Sequence, residues 1–224
     1  GRPRSVGTGT STVKEVYLAM SSDHGQSFGA ARPVSKADGY SSWTPALSVF
    51  ANSVHVAWTD ERDDLGECTT AGNPCREEEY YRRSTDNGTS FGPELRLTKD
   101  PAGTPRESWA PSIAAWQDTV HLAYLDKRSG YFQVYYQRSL DGGTSFGTEV
   151  QIASDPMYQN AARPTIAARE ADVHLAWFGF TSFEADIYYA RSSDSGASFA
   201  PYKNPTAPPE PIGASRMPHV AVAP

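Results

Sequence analysis

The side chains best suited to hold a ligand stand at one recurring position, two residues before a proline. In chain order the residues there are Trp43, Trp109, Ala162 and Arg216. An indole face stacks on a sugar ring and a guanidinium clamps an acidic group, so Trp43, Trp109 and Arg216 are candidate ligand-binding residues. The position is informative because its residue type changes from copy to copy.

A repeated Asp-x-Arg pair forms a second candidate set, Asp60 with Arg62 and Asp126 with Arg128. Such a pair could bind a polar sugar or an anion, with the arginine as a bidentate clamp. The alternative is an internal ion pair that ties its loop down. We favour this structural interpretation because the pair occurs in two repeats. The carboxylates between residues 60 and 79 could bind Ca²⁺, but they lack a recognisable ligand spacing, so we expect a solvated loop there.

These candidates must be positioned by a repeat whose clearest element is an octapeptide of the form S-x-D-x-G-x-S-F. It begins at Ser21, Ser84, Ser139 and Ser192. The aspartate can accept hydrogen bonds from backbone N–H groups two or three residues on, which fixes a tight turn. The glycine suits a position with positive φ. We expect the phenylalanine to start the next strand and to pin the turn to the core.

The octapeptides recur at intervals of about fifty to sixty residues, and strand-like segments recur with them. Each complete repeat has four such segments, which predicts an all-β fold of four-stranded antiparallel blades, a β-propeller. First strands are expected at 43–49, 109–115, 162–168 and 216–222, second strands at 54–58, 120–124 and 173–177, and third strands at 79–82, 134–137 and 187–190. A fourth strand is expected from the phenylalanine of each octapeptide.

The repeats predict one propeller domain over 1–224, with blades at about 13–37, 42–99, 108–154, 161–204 and 215–223. The first and last of these supply only parts of a blade, so three full blades stand beside a split one. We therefore expect a portion of a longer propeller. The alternative is a small closed ring of four blades with one irregular blade.

The net charge, the length of the apolar runs and the cysteines limit the kinds of partner and the cellular location of the protein. The net charge of −6 over 224 residues argues against nucleic acid or an anionic membrane as the main partner. No apolar run approaches the ~20 residues that span a bilayer. Cys68 and Cys75 lie in one polar loop, where a local disulfide or two free thiols are possible. We favour the disulfide and a secreted, extracellular or periplasmic location.

The octapeptide resembles the Asp-box, or BNR repeat, of the sialidase superfamily, and the resemblance extends from about Val13 to Val222. It implies a sialidase-like propeller in which the octapeptide lies on the rim, away from the active site. Asp23, Asp86, Asp141 and Asp194 are then structural. Arg216-Met-Pro218 resembles the Arg-Ile-Pro motif of sialidases, whose arginine is the first of three that hold the sialic acid carboxylate. Ser215 stands where that family has an aromatic residue.

Two functions remain open at this point. The first is a non-catalytic module that binds carbohydrate or an extracellular protein. The alternative is an exo-sialidase or related glycoside hydrolase whose remaining active-site residues lie outside this chain. No catalytic residue is assigned, because the tyrosine pairs recur in every blade and read as packing residues. No zinc spacing, phosphate loop or Ser-His-Asp pattern is present in the sequence, so we expect no metal and no cofactor. The sequence leaves the oligomeric state open.

Overall fold

The computed structural model describes residues 13–63, 77–99, 107–153, 160–180, 185–206 and 217–222. These residues form β-strands and no helix, as the strand periodicity predicts. A two-stranded pair comes first, β1 (Tyr17–Leu18) with β2 (Arg32–Pro33). No helix in the described ranges is long and apolar enough to cross a membrane.

Two four-stranded antiparallel sheets follow, and we call them blades A and B. Blade A contains β3 (Ser42–Phe50), β4 (Ser53–Asp60), β5 (Glu78–Ser84) and β6 (Leu95–Arg96) in that spatial order. Blade B contains β7 (Ser108–Trp116), β8 (Thr119–Asp126), β9 (Gln133–Ser139) and β10 (Val150–Gln151). Neighbouring strands are also consecutive in sequence, as in a propeller blade.

Blade C is a three-stranded sheet of β11 (Asn160–Arg169), β12 (Asp172–Phe180) and β13 (Ala185–Ser192). The blades stack through their first strands, with β3 against β7 and β7 against β11. A buried apolar cluster fills each boundary between successive sheets. The predicted all-β fold of four-stranded antiparallel blades is therefore confirmed in blades A and B.

Three details of the strand prediction are wrong. The fourth strands begin four residues after the octapeptide phenylalanine. In blade A the Gly92 N–H donates to the Arg83 carbonyl of the third strand (2.9 Å), and the chain then makes no strand pairing until Leu95. In blade C the fourth strand is reduced to one bridge between Tyr189 and Lys203. Residues 217–222, expected as part of a first strand, contain no strand.

Each first strand is interrupted just before its proline. Thr44, Ala110 and Arg163 have φ of 45°, 58° and 47°, and the pairing register with the second strand shifts at these points. Such bulges bend a strand and turn the neighbouring side chain in a new direction. Met217, at the same repeat position, has φ of 59° and so keeps this local geometry. The bulge therefore sets the direction of the residue that precedes it, which is Trp43 or Trp109.

The octapeptide turns are held by a hydrogen-bond pattern that is the same in all four copies. In the third copy Ser139 donates to Asp141 Oδ1 (2.7 Å), and Ser145 donates through its N–H to Oδ1 (2.9 Å) and through its hydroxyl to Oδ2 (2.6 Å). These bonds favour the ionised carboxylate and lower the pKa of Asp141. Asp23, Asp86 and Asp194 make the same bonds. The four aspartates therefore hold their own turns together.

In blades A and B, a histidine–tyrosine pair supports the octapeptide turn of the next blade. His55 Nδ1 bonds the Tyr81 hydroxyl (2.6 Å), and the Tyr81 ring meets Phe146 edge-on at 5.0 Å. The same arrangement joins His121, Tyr136 and Phe199 one blade further on. The expectation that the phenylalanine pins the turn to the core is confirmed for Phe91, Phe146 and Phe199 and is wrong for Phe28, which is 66% exposed.

The octapeptide turns share one side of the sheets with the loops between first and second strands. In blade A, the Asn87 N–H donates to the Asn52 carbonyl (2.9 Å), and in blade B the Gly142 N–H donates to the Asp118 carbonyl (2.7 Å). The loops at the opposite end bond one another instead, as between the Glu61 N–H and the Ser41 carbonyl (3.0 Å). The candidate ligand-binding residues Trp43 and Trp109 lie at this second end, where the first strands begin.

Candidate functional site: a tryptophan-lined pocket between two blades

Trp43 and Trp109 occupy equivalent places at the bulged ends of β3 and β7. Trp43 pairs with Thr59 across the sheet of blade A, and Trp109 pairs with Leu125 across the sheet of blade B. Because β3 and β7 are neighbouring first strands, both indoles lie at the boundary between blades A and B, where they line one cavity. The structure thus brings together two residues that lie far apart in the sequence.

A cavity of about 360 Å³ opens at this boundary, and we call it the Trp pocket. Its size is within the range of small-molecule sites. Three aromatic rings, two threonines and two glutamates line it: Trp43, Trp109, Phe132, Thr44, Thr59, Glu77 and Glu107. Aromatic rings beside a few polar groups are the usual lining of a small-molecule site.

The aromatic walls are held by ring and cation contacts. The Trp109 ring meets Phe132 edge-on, with centroids 5.7 Å apart. The Lys14 ammonium lies 5.2 Å from the Trp43 ring centroid, and that of Lys127 lies 5.4 Å from the Phe132 centroid. Lys127 Nζ is also 3.5 Å from Glu107 Oε2. These contacts fix the positions of the Trp43, Trp109 and Phe132 rings relative to their neighbours.

A chain of polar groups leads from the pocket into the protein. The Thr44 and Thr59 hydroxyl oxygens are 2.7 Å apart, and Thr59 donates to Glu79 Oε1 at 3.2 Å. The Ala110 N–H, from blade B, donates to Thr59 Oγ1 at 3.3 Å. Glu79 is fully buried, and its Oε2 has no hydrogen-bond partner among the described residues. Burial raises the pKa of Glu79 well above the usual glutamate value.

This polar chain departs from the pattern of the repeat. Thr59 stands where blade B has Leu125, and Glu79 stands where it has Val134. Leu125 and Val134 are completely buried, so the fold accepts apolar side chains at both positions. Thr59 and Glu79 were not identified from the sequence, although superposing the repeats shows polar residues in blade A at two positions that are apolar in blade B.

The aspartate and the arginine of each Asp-x-Arg pair bind each other, and the arginine also binds a glutamate of the same blade. Arg62 binds Asp60 through two nitrogens (2.9 and 2.7 Å) and also binds Glu94 (2.6 Å). Its guanidinium lies 4.4 Å from the Tyr80 ring centroid. Burial opposes ionisation of Asp60, but the hydrogen bonds from Arg62 and Trp58 lower its pKa below the usual value. Asp60 is therefore a buried, ionised anchor for the loop.

Blade B repeats this arrangement around Arg128. The guanidinium binds Asp126 (2.8 and 2.6 Å) and Glu149, and it lies 4.1 Å from the Tyr135 ring centroid. Glu94 and Glu149 were missed by the sequence reasoning, although both stand three residues after an octapeptide phenylalanine. None of the Asp-x-Arg residues lines the Trp pocket. Their role in ligand binding stays a prediction.

Three of the sequence candidates fall outside the described residues, namely Arg216, Cys68 and Cys75. The expected sialic acid arginine and the expected disulfide therefore stay predictions. In the described ranges, no group of three or more histidine, cysteine, aspartate or glutamate residues could hold a metal ion.

Comparisons with known proteins agree with the fold. No protein-family model matches the chain, and no curated protein matches it. A Hadza microbial sialidase superposes with a TM-score of 0.55 at 16% identity, over 70% of this chain and 36% of that one. The α-L-arabinanase of Penicillium chrysogenum gives 0.55 at 16%, over 84% and 58%. The α-L-arabinofuranosidase Arb93A of Fusarium graminearum gives 0.58 at 13%, over 86% and 58%.

At these identities the likeness shows the fold alone. This chain therefore has the fold of a sialidase-like β-propeller, the architecture shared by these glycoside hydrolases. It spans between 36% and 58% of the length of the three structures.

Proposed function

We propose that this propeller binds carbohydrate in the Trp pocket and acts as a secreted binding module. The observation that carries the proposal is that Trp43 and Trp109, from successive blades, line one cavity together with polar side chains. Indole faces bind the apolar face of a sugar ring, and carboxylates and hydroxyls bind its hydroxyl groups. The glycan-acting enzymes among the structural neighbours support carbohydrate as the class of ligand.

The test is the binding of a panel of immobilised glycans by the wild-type protein and by single tryptophan variants. Trp109→Ala removes an indole from the pocket and is expected to raise the Kd for bound glycans at least about tenfold. Trp116→Ala is the matched control, because Trp116 lies at the other end of the same strand and packs on Phe50 at 5.2 Å. Equal glycan binding by Trp109→Ala and Trp116→Ala would remove the basis of the proposal.

Glycoside hydrolysis is the second candidate function, and the carboxyl groups around the pocket favour it. Cleavage of a glycosidic bond commonly needs one protonated and one ionised carboxyl group. Glu107 lines the cavity, whereas Glu79, whose pKa is raised by burial, is fully buried behind Thr59. Fluorogenic glycosides distinguish the two functions. Turnover that is lost in Glu107→Gln would replace the binding proposal with an enzymatic one, and an exo-sialidase would cleave the sialoside among the probes.

The secreted location rests on the cysteine pair and has its own test. Native protein from an oxidising compartment is expected to have a mass two hydrogens lower before reduction than after it, as a Cys68–Cys75 disulfide requires. Two free thiols in that protein would contradict the disulfide and weaken the argument for secretion.

A further inference from the structure

We infer that copies of this chain associate head to tail, with the first octapeptide turn of one copy bound to blade C of another. The first octapeptide turn (residues 21–28) and blade C each carry one half of a contact that the chain makes twice between its own blades. The Trp pocket lies between blades A and B and takes no part in this contact. The inference therefore goes beyond the proposed function and does not depend on it.

The boundary between blades A and B shows how an octapeptide turn is held by the blade before it. The Tyr81 ring meets Phe146 edge-on, and its hydroxyl occupies the place that a Cβ on Gly143 would fill. Arg83 Nη1 donates to a carbonyl of the same turn (2.6 Å). Tyr81 is itself bonded to His55. We call this histidine, tyrosine and arginine of one blade its seat.

The boundary between blades B and C repeats the contact with the equivalent residues. The Tyr136 ring meets Phe199 edge-on at 4.8 Å, and the Tyr136 hydroxyl is bonded to His121 (2.7 Å). Arg138 Nη1 donates to the Ser195 carbonyl of the turn (2.7 Å). A seat in one blade and an octapeptide turn in the next therefore form a standard contact of this chain.

Blade C carries a third seat, made of His174, Tyr189 and Arg191. His174 Nδ1 bonds the Tyr189 hydroxyl at 2.6 Å, as in the other two seats. The turn side of this seat is open to solvent, because His174 and Tyr189 are only half-buried whereas His55 and His121 are completely buried. The Arg191 side chain is 52% exposed and binds Asp172 of its own blade. Blade C thus presents a complete seat that holds no turn among the described residues.

The first octapeptide is the opposite case, a turn that rests on no seat. A Cβ added to Gly25 would have no heavy atom within 4 Å, and Phe28 is 66% exposed. In the other three copies the phenylalanine packs against a buried cluster. The first turn nevertheless has the same shape, since its internal hydrogen bonds are those of the other copies and φ at Gly25 is 84° against 86° at Gly143.

A second copy supplies what each half lacks. The Phe28 ring is expected to meet Tyr189 edge-on, and the His24 carbonyl, equivalent to that of Ser195, is expected to accept from Arg191. Turn and seat are different surfaces, so the contact is heterologous and copies add in one direction. Because one turn and a few side chains bury less area than a stable interface, we expect a Kd of about 10–100 µM.

The turn is tested by a glycine substitution with a matched control. Gly25→Ala fills the space that the Tyr189 hydroxyl of the second copy is expected to occupy. Gly130→Ala is the control, because Gly130 also has a positive φ (95°) and no heavy atom within 4 Å of an added Cβ, but lies in blade B between β8 and β9. Both variants carry the same backbone strain, and only Gly25→Ala obstructs the contact.

The seat is tested by a charge change with its own control. Arg191→Glu removes the donor and places a carboxylate against a carbonyl oxygen. Because Arg191 is exposed, the variant is expected to fold. Lys99→Glu makes the same charge change at another exposed residue, just after β6. Circular dichroism of each variant confirms that it is folded.

Sedimentation velocity over a range of protein concentrations measures the association. The wild type is expected to shift from the mass of one chain to multiples of it as concentration rises. Gly25→Ala and Arg191→Glu are each expected to raise the Kd at least about tenfold, and the two controls to stay within about twofold of wild type.

Mixing the two variants tests the head-to-tail geometry. Gly25→Ala keeps an intact seat and Arg191→Glu keeps an intact turn, so the mixture contains one working contact. The mixture is expected to form dimers with about the wild-type Kd and nothing larger. A contact between identical surfaces, or general adhesion of exposed side chains, would not be restored in this way.

Three results would overturn the inference. The first is a wild type that stays a monomer up to concentrations about tenfold above the expected Kd. The second is an association that Gly25→Ala and Arg191→Glu weaken no more than their controls do. The third is a mixture of the two variants that forms no dimer. In each case the proposed carbohydrate function stands, because the Trp pocket is complete in one copy.

Discussion

The glycine of the octapeptide turn is predicted to matter for two different reasons in two copies of the same turn. Gly25 and Gly143 have nearly equal φ, 84° and 86°, and each N–H donates to the serine that opens its turn at 2.8 Å. A Cβ added to Gly25 would have no heavy atom within 4 Å. A Cβ added to Gly143 would overlap the Tyr81 hydroxyl and lie 2.8 Å from Tyr81 Cζ.

The two alanine substitutions should therefore differ by the cost of displacing Tyr81. Gly25→Ala carries only the left-handed backbone term, about 1–2 kcal/mol. Gly143→Ala carries the same term together with about 1–3 kcal/mol of overpacking and about 1 kcal/mol for the His55–Tyr81 hydrogen bond. The expected loss of unfolding free energy is about 3–6 kcal/mol for Gly143→Ala, against about 1–2 kcal/mol for Gly25→Ala.

Urea denaturation followed by circular dichroism measures both values. A second comparison places Gly143→Ala in a Tyr81→Phe background, where the hydroxyl that overlaps the new methyl group is gone. The penalty should fall there by about 1 kcal/mol or more, with the remainder due to the ring carbon at 2.8 Å. Equal penalties for Gly25→Ala and Gly143→Ala would refute the argument that the turn of blade B is seated on Tyr81.

Further predictions concern the buried His121, the Asp126–Arg128 ion pair, and two equivalent residues of the first strands, Leu47 and Ile113. Burial, with a smaller contribution from a nearby arginine, lowers the pKa of His121 in the folded protein to about 4. In the unfolded chain this histidine takes up its proton near pH 6.5. The free energy of unfolding should therefore fall as the pH is lowered from 6.5 to 4, with a loss of about 2 kcal/mol at pH 5. His121→Gln should flatten that part of a urea-denaturation pH series, and an unchanged slope would contradict it. Arg128→Ala leaves Asp126 buried without its cation and should lower the free energy of unfolding, measured by urea denaturation, by about 3–5 kcal/mol. Arg128→Lys should restore part of this stability. A loss under about 1 kcal/mol in Arg128→Ala would contradict the role of the Asp126–Arg128 pair as an anchor. Leu47 and Ile113 occupy equivalent positions in β3 and β7, and they are 52% and 6% exposed. Ile113→Ala should therefore lower the free energy of unfolding by about 2–4 kcal/mol and Leu47→Ala by under about 1 kcal/mol, which thermal midpoints would rank. Equal losses would mean that Leu47 is also covered in solution.

The repeat was readable from the sequence because its signals are local. Each octapeptide closes hydrogen bonds among its own residues, and each strand alternates within itself, so neither depends on the rest of the chain. Superposing the copies predicted the first three strands of blades A to C. The bulges and the short fourth strands were not predicted, because the alternation of residue types along a strand indicates neither a positive φ at one position nor the point where pairing with the next strand stops.

What the Trp pocket contains was decided by the tertiary structure. Trp43 and Trp109 share a cavity only because two first strands stack side by side, and the pKa of Glu79 is raised because the folded chain removes its carboxyl from water. The sequence showed that Thr59 and Glu79 differ from Leu125 and Val134, but not that they form a chain leading to the pocket. Hydrogen bonds and burial between distant residues depend on distances that only the folded chain sets, and for this reason the site could be recognised only in the structure.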